Sequence, residues 1–135
     1  MNNLINYLKS RSEENPRYSG CFWLISTTLS ASAVESALGF QDSKRGLNFK
    51  CATLDKPKNY NKPIYLIPTN DKRYFFLFVE DSPSYSFRPV YLFLSKKRRQ
   101  IQLFPITAQM IRESIRLDDN HNFSDTKVLK AISYP

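Results

Sequence analysis

The chain is 135 residues long, 41% hydrophobic and 14% aromatic with only 3 glycines and no low-complexity tract, a composition that argues against an intrinsically disordered protein and is sufficient for one packed core. Its net charge of +8 is regional: residues 44–99 carry 13 Lys/Arg against 4 Asp/Glu, while the rest carries 7 against 8. No apolar run reaches the roughly 18 residues that cross a bilayer, and Met1–Asn6 lacks the charged head and apolar stretch of a secretion signal, so a single cytoplasmic domain over 1–135 with no membrane partner is expected.

Residues 2–14 place Leu4, Ile5 and Leu8 at helical spacing ahead of a polar stretch, with Pro16 limiting extension, which predicts a short amphipathic helix. After the turn Pro16–Gly20, the aromatic and β-branched run Cys21–Thr28 predicts a buried strand. Ser32 stands three residues before Glu35, the spacing of a reciprocal helix cap, and a helix over 32–38 is expected to stop at Gly39. A polar loop 41–46, a strand 47–54 and a proline-containing loop 55–63 follow.

From Ile64 the pattern predicts an antiparallel meander, with strands 64–67, 74–79, 90–94 and 100–104 joined by a short turn at 69–72, a long excursion at 80–88 and a tip at 96–99. The run Tyr74–Val79 is apolar on both faces, which requires helices on both sides, closure into a barrel, or a partner. Helices are predicted over 106–117, where Ile106, Met110, Ile111 and Ile115 share a side, and over 124–133. The expected fold is α+β: an antiparallel sheet or partly closed barrel of five to six strands flanked by N- and C-terminal helices.

Cationic residues fall at predicted turns and loops. The candidate set is Lys44, Arg45, Lys72, Arg73, Arg88, Lys96, Lys97, Arg98 and Arg99, and if alternate turns share one end of the sheet, the 72–73 and 96–99 tips are neighbours. Tyr85 and Phe87, placed in the 80–88 loop beside Arg88, are the aromatics most available for stacking on an unpaired base. The partner implied is nucleic acid, single-stranded or RNA in preference to duplex because no basic recognition helix is evident. Two alternatives share the charge: a protein of a mobile element or virus that docks on an acidic protein surface, and a metal-independent ribonuclease toxin acting through charge stabilisation at the scissile phosphate.

Chemistry-bearing motifs are sparse, so the balance leans against an enzyme, and no catalytic residue, metal site or cofactor is assigned. His121 is the single histidine and lies in an acidic, amide-rich loop; Glu80 and Asp81 are the carboxylates nearest to a convergent pair. No phosphate-cradling glycine loop, Gly-x-Ser-x-Gly or Cys-x-x-Cys occurs, and Cys21 and Cys51 are expected as reduced, buried thiols.

Overall fold

The computed structural model describes residues 2–43, 47–104 and 132–133. The order of elements is α1 (Asn2–Glu14), β1 (Gly20–Thr27), α2 (Ala31–Leu38), β2 (Gln41–Asp42), β3 (Lys50–Leu54), β4 (Lys62–Pro68), β5 (Tyr74–Val79), α3 (Pro83–Leu94) running into a 3₁₀ turn at Ser95–Lys97, β6 (Ile101–Phe104) and β7 (Ile132–Ser133). The α+β expectation holds. Six strands form an open, unclosed antiparallel sheet in the order β2-β3-β4-β5-β1-β6, and β7 adds to β1 in parallel.

The doubly apolar β5 is explained by helices on both faces. On β1, β4 and β5, odd and even positions feed different cores: Trp23, Ile25, Ile64, Leu66, Leu77 and Val79 pack under α2 and α3, while Phe22, Tyr65, Ile67, Phe76 and Phe78 pack under α1. The register follows, with Trp23 opposite Leu77 on one face and Phe22 opposite Phe78 on the other. A one-residue slip would exchange the two cores, so the pairing is strongly specified.

Each helix has a local cause. In α1, Leu4 and Leu8 lie one turn apart and are both fully buried. In α2, Ser30 rather than Ser32 is the cap: its hydroxyl accepts the Ala33 N–H at 3.3 Å, and Glu35 turns instead toward Lys50 at 3.6 Å. Gly39 ends the helix in the left-handed region at φ 76°, where a residue without Cβ is favoured.

The largest departure is α3. The expected loop 80–88 and strand 90–94 form one helix in which Ser86, Pro89, Val90, Phe93 and Leu94 are buried, a 3.6-residue period. Ser82 precedes the helix and Pro83 occupies its first turn, where a missing N–H costs nothing. Pro89 sits farther in and gives up the bond its N–H would make to the Tyr85 carbonyl. The expected meander is also interrupted: β1 lies between β5 and β6. The predicted helix at 106–117 and residues 124–131 of the one predicted at 124–133 lie outside the described residues, as does His121, and Ile132–Ser133 are strand where helix was expected. No helix among the described residues is long and apolar enough to cross a membrane.

Candidate functional site

The sheet has two ends with different chemistry. At one, β4 and β5 are joined by residues 69–73, β1 finishes and β6 begins. The Thr27 N–H donates to the Arg73 carbonyl at 2.8 Å, and Thr27 is also the register partner of Ile101. The 72–73 turn and the 98–100 turn therefore flank the last residue of β1, about 10 Å apart at two strand spacings. That separation is slightly more than the Debye length of about 8 Å at physiological salt, so the two turns reinforce each other most at low ionic strength.

Lys72, Arg73, Lys96, Arg98 and Arg99 are exposed on this rim and Lys97 is half-buried. Arg73 is held by Asp71 through two side-chain bonds, Nη2 to Oδ2 at 2.7 Å and Nε to Oδ1 at 3.1 Å. Hydrogen bonding from Arg73 pulls the Asp71 carboxyl down to about 2, so the pair stays ionised and Arg73 is partly neutralised. None of the other five is paired with a carboxylate among the described residues. Lys96 Nζ lies 5.9 Å from the centre of the Phe93 ring. A cleft of about 850 Å³ opens at the same end between the start of α2 and the 69–73 turn, lined by Thr28, Ser30, Ser32, Lys72 and Arg73, with Glu35 and Asp71 as its acids.

The sequence-derived set is thus divided. Lys72, Arg73 and the 96–99 quartet are brought together, although 96–99 is a turn between a helix and a strand rather than a hairpin tip. Tyr85, Phe87 and Arg88 stand on α3 instead of a loop. Lys62 lies away from this rim, at the start of β4 and opposite Leu54. Lys44 and Arg45 lie outside the described residues.

Tyr85, Phe87 and Tyr91 are 72%, 51% and 59% exposed, a concentration of uncovered aromatics on one helix. Tyr91 was hidden in the sequence by its place in an apparent strand. Once 83–94 is taken as a helix, its four-residue spacing from Phe87 puts the two rings on one side.

The opposite end of the sheet carries Lys62 and, just past β5, the carboxylates Glu80 and Asp81. Glu80 accepts the Tyr7 hydroxyl at 2.5 Å and the Tyr18 hydroxyl at 2.9 Å and faces Arg11 Nε at 3.4 Å. Its side chain is 14% exposed. Burial first, then Glu80, raises both tyrosines well above the usual phenol range. Asp81 turns to the other face and accepts the Tyr60 hydroxyl at 2.9 Å. The two carboxylates diverge, and no three His, Cys, Asp or Glu side chains converge to hold a metal among the described residues. This cluster ties α1 and the strand ends together. No family model matches the chain, and no curated protein or solved structure matches it significantly.

Proposed function

We propose that this protein binds nucleic acid through its backbone phosphates, at the rim formed by Lys72, Arg73, Lys96, Lys97, Arg98 and Arg99. The observation that carries the reading is the meeting of two cationic turns, distant in sequence, on either side of the end of β1. Six cations, of which Arg73 alone is paired with a carboxylate among the described residues, make a field in which each phosphate contact releases counterions. The helix that feeds the rim carries no acid to oppose it. An acidic protein surface is the competing partner, and a polyanionic strand is favoured because the turns are polar and flexible-chained rather than a packed apolar anchor.

The test is fluorescence-anisotropy binding of a labelled single-stranded RNA 20-mer to the native protein and to a variant carrying Lys96→Gln, Lys97→Gln, Arg98→Gln and Arg99→Gln. Native binding lost in the variant, with the RNA intact on a gel afterwards, supports the reading. Equal binding by the two proteins, or none by either at low salt, overturns it, and cleaved RNA moves the protein to the ribonuclease class.

A further inference from the structure

Phosphate contacts alone do not account for α3. Phe87 and Tyr91 lie one helical turn apart, with ring centres 6.3 Å apart and planes within 17° of parallel. Phe87 is not a loose surface ring: it packs 5.8 Å from Trp23, which is fully buried in the centre of the sheet. Tyr91 leads directly to the cations, because it lines a small cavity of about 100 Å³ together with Leu94, Ser95, Arg98, Ile101 and Leu103. Moving along α3, the exposed surface thus runs from two near-parallel aromatic faces to the guanidinium of Arg98 and the turn behind it.

Resting on the phosphate-binding reading above, we infer that the Phe87–Tyr91 flank is a stacking platform for an unpaired base of the strand whose phosphates lie on the 96–99 turn. The partner is therefore a single strand rather than a duplex. Three features select this occupant. A nucleobase offers a flat π-face to rings of matching orientation, and every base has one, so binding tolerates sequence. The anchoring of Phe87 on Trp23 means that little side-chain freedom is lost when a base arrives. Arg88, exposed and three residues before Tyr91 on the helix, adds a cation beside that ring, and the 96–99 quartet stands at the helix's end, so the flank is electrostatically complementary to a phosphate-linked chain. A duplex keeps its bases stacked inside and presents no free face to these rings.

The experiment compares three probes of equal length: a 12-nucleotide single-stranded oligothymidylate, a 12-unit sugar-phosphate strand lacking bases, and a 12-base-pair duplex. Each is titrated against the native protein and against a Phe87→Ala/Tyr91→Ala variant. Both replaced rings are at least half exposed, and far-UV circular dichroism and the melting temperature report that the sheet is intact, since Trp23 itself touches Phe87. The expected result is that the native protein prefers the oligothymidylate to the baseless strand by about tenfold or more. The variant loses that preference, keeps its affinity for the baseless strand and shows the same salt slope. A Phe87→Tyr/Tyr91→Phe variant retains the preference. Native protein that binds all three probes alike, or a double-alanine variant that keeps the preference, overturns the stacking platform and leaves the phosphate rim standing. Failure of the native protein to bind any probe removes the rim and the platform together.

Discussion

Glu80 offers the most direct way to test how the two layers are joined. Its carboxylate receives hydroxyls from Tyr7 on α1 and from Tyr18 in the link to β1, residues 73 and 62 positions away in sequence. A hydrogen bond to a charged group contributes about 1.5–3 kcal/mol. Both tyrosine bonds are only partly buried, so the lower value applies to each, and Glu80→Ala is expected to cost about 3 kcal/mol. The Arg11 contact adds little, because Arg11 is 46% exposed and surface pairs contribute about 0–1 kcal/mol. For a chain of this size the melting temperature falls by about 10 °C. Glu80→Gln, which keeps the shape and one acceptor oxygen, is expected to lose about half as much. Thermal unfolding followed by circular dichroism and Trp23 emission measures both, and a Tyr7→Phe/Glu80→Ala cycle isolates the shared bond. A drop of less than about 3 °C for Glu80→Ala, or strict additivity in the cycle, would refute the claim that this cluster fastens α1 to the sheet.

Two further outcomes follow from buried protons. Tyr7, Tyr18 and Tyr60 hold theirs more tightly when folded than the ordinary value of 10.0, through burial and their carboxylate partners. Their contribution to stability is complete below pH 10 and is lost as pH rises above it, so phenolate absorbance should develop in two stages, with these three appearing only as the chain unfolds. Burial pushes the Cys21 thiol up to about 12 from 9.0. At pH 8 its thiolate fraction is about a thousandfold below that of a free thiol. Iodoacetamide followed by mass spectrometry should therefore label Cys51, which is half-buried, ahead of Cys21, and early labelling of Cys21 would contradict its place in the core.

Much of the fold is legible in local pattern: α1 carries helical spacing, and β1 and β5 are short aromatic and β-branched runs bounded by turn residues. The double-sided β5 even required the three-layer arrangement as one of its few explanations. Where the pattern misleads, a specific residue is responsible. Pro89 reads as a helix breaker, yet the burial of Ser86, Val90, Phe93 and Leu94 outweighs one missing bond, and the β-rich letters of Val90–Leu94 are recruited into a helix. Ser32 and Glu35 have the spacing of a cap, but Ser30 takes that role and Lys50 claims Glu35 across the sheet.

The candidate site divides along the same line. The cationic turns at 72–73 and 96–99 are visible because charge at turns survives errors in assigning the elements between them. Tyr91 is not, since a residue assigned to a strand core is not looked for on a surface. The Glu80 cluster is invisible for a different reason: its partners meet only through the tertiary fold, and no spacing rule spans 73 residues.

The salt dependence of binding bears most directly on the phosphate rim. Five cations, Lys72, Lys96, Lys97, Arg98 and Arg99, stand outside the Arg73–Asp71 pair. If all five meet phosphates of a single strand, the logarithm of affinity falls with the logarithm of salt at a slope of about −3.5, and binding weakens about a hundredfold between 50 and 200 mM. Neutralising residues 96–99 should flatten the slope to about −0.7. A steep native slope that collapses in the variant is the result predicted for the rim, whereas a native slope shallower than about −1, or no binding at 50 mM salt, would contradict it.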